Sequence, residues 1–203
     1  MKRFLRFYGA PIVIVVIGLA VAFFFMAPAP PKKVTIAGGA SGGVYAATAE
    51  GYARELREQG VEVDVQTTNG SVDNLNRIKS RQADIAIVQT GLAADVGSDG
   101  ARSLGAIFYE PLWVFARSGR KAEELQDLRG LRVAIGPEGS GVRVLATLLL
   151  TEAGIAEGGY TAVPLAGQAA AEALQKGEVD AAMVVSGPTT AWIGGLISDR
   201  NIQ

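Results

Sequence analysis

The sequence predicts an α/β fold built from two units of similar plan, and three stretches predict it. Leu131 to Arg143, LRVAIGPEGSGVR, reads as a short apolar strand, a loop with three glycines and a proline, and the start of a leucine-rich helix. Lys33 to Tyr45, KVTIAGGASGGVY, repeats that grammar with four glycines in the loop. The two units also close alike. Gln82 to Thr90 (QADIAIVQT) and Glu178 to Ser186 (EVDAAMVVS) each carry an acidic residue before an apolar strand that ends in a polar group and a glycine. A glycine loop between strand and helix leaves backbone N–H groups unpaired at the positive end of the helix dipole, a ready seat for an anion. Two such loops imply a cleft with a ligand between the units.

The first strand covers Val34 to Gly38, and a helix follows from Val44 to Gln59, closed by Gly60. Val61 to Gln66 alternates as a strand, and TTNGS turns the chain with Ser71 as N-cap of a helix carrying Val72, Leu75 and Ile78. Ala83 to Gln89 is the third strand, and a short helix and loop are expected up to Ser103. Leu104 to Ala116, LGAIFYEPLWVFA, is apolar throughout but broken by Pro111, so two strand pieces are expected to meet at Tyr109-Glu110-Pro111. A polar connector with a short helix near Leu125 leads to the second unit. There the strands are Leu131–Ile135, Thr161–Leu165 and Val179–Val185, and the helices Val142–Glu152, Gln168–Lys176 and Ala191–Ser198. The chain stops at Gln203 without crossing back to the first sheet, so the sequence reads as a fragment.

Composition excludes several chemistries. The 203 residues include no cysteine and no histidine, which removes disulfides, thiolate nucleophiles, the usual general base and the commonest transition-metal ligands. No metal or cofactor is expected. Lys2, Arg3 and Arg6 precede an uncharged run whose core is PIVIVVIGLAVAFFFMA, close to the ~20 apolar residues that a membrane span needs. Positive residues ahead of it favour a cytoplasmic N-terminus and an exported remainder. A retained anchor contacting the lipid bilayer through residues 8–27 is the first reading. A signal cleaved near Ala27-Pro28-Ala29 is the second, with the nearby prolines against it. All 20 acidic residues lie beyond this segment, and no basic patch interleaved with aromatics appears, so nucleic acid is not expected as a partner.

The motifs are weighed by what each needs. GPEGSGVR lacks the lysine and Ser or Thr of a phosphate loop, since Val142 and Arg143 follow Gly141. Gly39 to Gly43, GASGG, matches the G-x-S-x-G elbow, but Ser41 has no histidine to activate it. A serine hydrolase is therefore disfavoured. Thr68, Asn69, Ser71, Gln89, Thr90, Ser186 and Thr189 all fall just after strand ends, the edge at which open α/β sheets bind ligands. That edge favours a binding cleft over glycine loops used only for tight packing. Tyr45 and Tyr109 are the aromatics placed to wall it. Arg143 is either a partner for a ligand carboxylate or a solvated helix residue.

Four segments together resemble a known family: KVTIAGGASGGVYAATAE, TTNGSVDNLNRIKSRQADIAIVQT, LRGLRVAIGPEGSGVR and VDAAMVVSGP. They are similar to the TAXI-type solute-binding proteins of TRAP transporters, over Val34 to Pro188. The resemblance implies the type II periplasmic-binding-protein fold, two α/β lobes with a ligand cleft between them. On that plan residues 1–31 are anchor (or signal) and spacer, 32–116 an incomplete first lobe, and 117–203 the second lobe. It implies no enzyme. It implies instead a receptor facing the periplasm or cell exterior that hands a small organic anion (a dicarboxylate, 2-oxo acid or amino acid) to membrane permease subunits. The site residues it implies are Gly43, Val44, Tyr45, Gln89, Ser140, Gly141 and Val142, and the strand-end argument adds Asn69, Ser71 and Tyr109. FYEPLWVFAR is richer in aromatics than the family pattern at that position. An exported sensory domain of the same fold is the alternative.

Overall fold

The structure, a computed structural model, describes residues 2–26, 31–92, 101–119 and 122–203. The chain separates into two compact units, Met1–Lys32 and Lys33–Gln203. The first holds one helix, α1 (Lys2–Phe25), with Pro11 inside it. Among the described residues no helix is long and apolar enough to cross a membrane. The expected transmembrane anchor and its lipid contact through residues 8–27 are therefore not carried by the structure. α1 opens on charged residues, and Pro11 removes a backbone donor within it, leaving Ile12 to Phe25 as the uninterrupted apolar part, shorter than the ~20 residues of a span.

The larger unit contains two sheets. The first is parallel, in the order β2-β1-β3, from β1 (Lys33–Gly39), β2 (Glu62–Thr67) and β3 (Ile85–Ala86). α2 (Val44–Glu58) links β1 to β2, and α3 (Ser71–Lys79) links β2 to β3. The second sheet runs β4-β7-β5-β6, from β4 (Leu112–Ala116), β5 (Arg132–Ala134), β6 (Thr161–Val163) and β7 (Ala181–Val185). Here α4 (Gly141–Glu152) links β5 to β6 and α5 (Gly167–Lys176) links β6 to β7, while α6 (Ala191–Ser198) follows β7. The repeat read from the sequence is thus present in space. In each sheet the strand before the glycine loop is central, flanked by the next two strands in the same order.

The period of two along the strands decides which side chain enters which core. On one face of the second sheet Ala134, Ala182, Val184 and Phe115 pack with α5 and α6 residues such as Leu174, Ile193 and Leu196. On the other face Val133, Ile135, Ala181 and Met183 pack with Ala146 and Leu150 of α4 and with Leu128. The first sheet has a smaller core, in which Val34, Ile36 and Val63 meet Ala49 and Ala53 of α2. Leu128 lies in the short 3₁₀ turn Leu125–Leu128, where a short helix was expected.

Three expectations need correction. The two strand pieces expected on either side of Pro111 reduce to one. Residues 101–111 form no regular structure, and Leu112–Ala116 pair antiparallel with β7, from Leu112 opposite Val185 to Ala116 opposite Ala181. β4 thus belongs to the second sheet, not to the first unit, because β7 offers it a free edge. The strand expected over Ala83–Gln89 pairs with β1 only at Ile85 and Ala86. The Asp84 carboxylate takes the Thr35 N–H at 2.8 Å, which ends the ladder with a side chain. Finally, Ser71 is not an N-cap. Gly70 holds that position and Ser71 begins the helix. The helix expected before Ser103 falls largely on residues 93–100, outside the described residues.

Candidate functional site: two glycine loops in contact

β1, β2, β3 and β5 all end toward one region, so the loops that follow them converge there. Gly43 is the N-cap of α2 in extended conformation, with no side-chain cap hydrogen bond, and Val44 and Tyr45 open the helix. Tyr45 is half-buried, and its hydroxyl donates to Glu110 Oε2 at 2.6 Å. Its ring lies 6.1 Å from that of Phe108, centroid to centroid. The Ser71 hydroxyl also interacts with Tyr45, and it accepts the Gln89 backbone N–H at 3.0 Å. Burial first, and then the Glu110 carboxylate, push the Tyr45 hydroxyl well above its ordinary pKa, so it stays a proton donor. Burial likewise raises the Glu110 carboxyl, against the opposing pull of the Tyr45 hydrogen bond.

The second glycine loop docks directly on these residues. The Gly139 carbonyl accepts the backbone N–H groups of Val72 and Asp73, at 3.0 and 3.1 Å. The first turn of α3 is therefore satisfied by protein, not left open for an anion. Two glycines make the contact possible. A Cβ on Gly70 would lie 3.4 Å from Ser140 Cα, and one on Gly139 would lie 3.3 Å from Asn69 Cβ. Both also have positive φ, 120° and 82°, which L side chains adopt only with strain. The Gln89 side chain lies flat against Gly141, in the space that a Cβ there would fill.

Beneath the contact, buried polar groups hold the TTNG turn. The Thr68 hydroxyl donates to Asn74 Oδ1 and accepts the Gly70 N–H, and Asn74 Nδ2 donates to the Ile87 carbonyl at 2.7 Å. Asn74 is fully buried, and no buried side-chain polar atom lacks a partner among the described residues. A groove of about 340 Å³ at the first loop is lined by residues that include Gly39, Ser41, Gly42, Gly43, Ala46 and Thr67. No group of three or more metal-ligating side chains occurs among the described residues.

The residues expected at the site divide into two groups. Gly43, Val44, Tyr45, Asn69, Ser71, Gln89, Ser140 and Gly141 lie on the converging loops and helix starts. Ser140 and Val142, however, have their side chains turned to local structure. The Ser140 hydroxyl accepts the Arg143 N–H and donates to the Pro137 carbonyl, which caps α4, while Val142 is buried against Gly136. Arg143 donates to the Gly136 carbonyl at 3.0 Å and so braces the same loop. Tyr109 is 96% exposed and walls nothing. Its neighbours Phe108 and Glu110 take the place beside Tyr45. Glu110 was missed by the sequence reading, although it is the only charged residue in the apolar run Leu104–Ala116.

A model of the NMT1-like family matches residues 36–203. Among solved structures the chain resembles the alkanesulfonate-binding protein of Xanthomonas axonopodis pv. citri bound to MOPS, with TM-score 0.58, 20% identity, and coverage of 87% of this chain and 61% of that one. It also resembles an ancestral arginine-binding protein bound to arginine, with TM-score 0.57, 16% identity, and coverage of 85% and 77%. A third is a binding-protein component of a phosphonate ABC transporter from Pseudomonas aeruginosa, with TM-score 0.58, 14% identity, and coverage of 85% and 63%. The chain spans about 60% of the length of the sulfonate-binding proteins it matches. These likenesses establish an α/β periplasmic-binding-protein-like fold. Each of the three is named as a binding protein, not as an enzyme.

Proposed function

The chain belongs to the NMT1-like family, and from that premise we propose that it is an extracytoplasmic solute-binding receptor for a small organic anion. The observation that carries this reading is the convergence of Tyr45, Ser71 and Gln89 from the first sheet with Ser140 and Gly141 from the second. Loops after parallel strands are where open α/β sheets hold ligands. The uncapped start of α2 supplies backbone donors beside a phenol that remains protonated. Gly43, Val44, Tyr45, Asn69, Ser71, Gln89 and the backbone of Ser140–Gly141 line the proposed seat. The solute enters when the Gly139 contact with α3 parts, and the two lobes, divided ahead of β4 at Leu112, close over it by a hinge.

The transporter type is a finer proposal. The four segments resembling TAXI-type receptors support a TRAP transporter and its permease subunits as partners. Co-purification of the chain with TRAP-type membrane subunits checks this, and association with ABC-type subunits alone refutes it. The basic N-terminus ahead of the apolar run supports export of everything after it.

Thermal unfolding of the full chain against dicarboxylates, amino acids and 2-oxo acids tests the receptor role. A solute at a hundredfold excess over its dissociation constant adds about 2.7 kcal/mol of stability. For a chain of this size that is a rise of roughly 5–10 °C. One acid should produce the shift, and Tyr45→Ala should abolish it. A folded chain that ignores the whole panel refutes the reading.

A further inference from the structure

Glu110 is a carboxylate where a receptor for anions has least use for one. It is half-buried and held by the Tyr45 hydroxyl at 2.6 Å, and the Tyr45 ring in turn lies 6.1 Å from that of Phe108. Among the described residues no lysine or arginine forms an ion pair with it. Its carboxyl is raised by burial and by no compensating cation, in agreement with that geometry. An apolar residue beside Tyr45 would avoid the desolvation cost of a charge. The position lies beside the second residue of α2 and is linked through Tyr45 and Ser71 to the Gln89 backbone.

We infer that Glu110 sets the charge class of the solute: the site takes a small acid that also carries a cationic amino group, an amino acid and not a 2-oxo acid or dicarboxylate. The inference rests on the receptor reading above. A solute carboxylate at the α2 start brings a second negative charge close to Glu110, and like charges in a half-buried site repel strongly. An ammonium group on the same solute resolves both problems. The solute carboxylate takes the loop amides and hydroxyls, and the ammonium group takes Glu110. Tyr45 keeps the Glu110 carboxylate oriented for that contact.

Matched pairs differing in the amino group alone provide the test. Titration calorimetry on the full chain would compare L-glutamate with 2-oxoglutarate, L-alanine with pyruvate, and L-leucine with 4-methyl-2-oxopentanoate. At least one amino acid should bind about tenfold more tightly than its oxo partner, the scale of one partly exposed charge pair. Glu110→Gln should shrink that preference below about threefold, and Glu110→Asp, which keeps the charge, should restore part of it. Melting curves without solute check that each variant folds. An oxo acid that binds the unaltered chain as tightly as its amino partner overturns the inference and leaves the receptor reading standing. So does a Glu110→Gln chain that binds both members of a pair more tightly, since Glu110 would then be an internal plug. Silence of every pair in a folded chain removes the receptor reading itself.

Discussion

Asn74 is fully buried and ties the Thr68 hydroxyl to the Ile87 carbonyl. Asn74→Leu leaves both partners unsatisfied and should cost about 2–3 kcal/mol, read as a lower urea midpoint with an unchanged slope. Glu110 behaves in the opposite sense. Its folded pKa is raised, so the native chain holds the proton more tightly than the unfolded one. Stability therefore falls as pH climbs from the ordinary carboxyl value of 4.5 through the raised one. Glu110→Gln removes that penalty. The variant should melt above the unaltered chain at pH 7.5, and the gap should close on acidification. A gap that persists at low pH refutes the assignment. At Asp73 burial pushes the pKa up, but the Asn69 amide and Arg77 outweigh it and leave it lowered. Asp73 thus adds stability above 3.8 that is lost as pH falls through its lowered pKa.

Among elements, α2, α3 and α4 start in three different ways, and the difference assigns their roles. α4 is capped by its own Ser140, α3 by the Gly139 carbonyl of the opposite loop, and α2 by no side chain. Only α2 presents its first turn without a side-chain cap or a carbonyl from the facing loop. The α3 contact depends on backbone approach at Gly139, where φ is 82° and Asn69 lies against the missing Cβ. Gly139→Ala combines left-handed strain with that contact and should cost about 1–2 kcal/mol, or roughly 2–8 °C in melting temperature. Ser140→Ala should cost about 1 kcal/mol through loss of the α4 cap. Its effect on solute affinity should be smaller than that of Tyr45→Ala in the same calorimeter, because its hydroxyl already serves Arg143 and Pro137.

For the molecule as a whole, the two sheets are unequally supported. The second is covered on both faces by buried clusters, and its central β7 pairs with β4 on one side and β5 on the other. The first has one smaller cluster, and its β3 pairs over two residues. Local opening should follow that difference. In hydrogen exchange, amides of Ala181–Val185 should be the slowest, and those of Glu62–Thr67 should exchange well before them. Equal protection of β2 and β7 would mean that the two sheets open as one cooperative unit.

The sequence by itself determined the repeat. Strand, glycine loop and helix follow from hydrophobic period and from glycine and proline placement, which are local properties of the chain. Hence Lys33–Tyr45 and Leu131–Arg143 were legible as strand, loop and helix start, and Tyr45, Ser71, Gln89 and Gly141 as residues on or next to such loops. Only the tertiary structure decided which groups on those loops remain available. Ser140 and Val142 turn inward because α4 needs a cap and Gly136 needs filling, and Tyr109 faces solvent while Glu110 does not. Residues 101–111 form no regular structure, so no period fixed which side chain would point inward. The edge that captured β4 lies some 70 residues further along the chain, at Ala181–Val185. Pairing and burial between distant segments depend on which surfaces meet, and no local pattern encodes that.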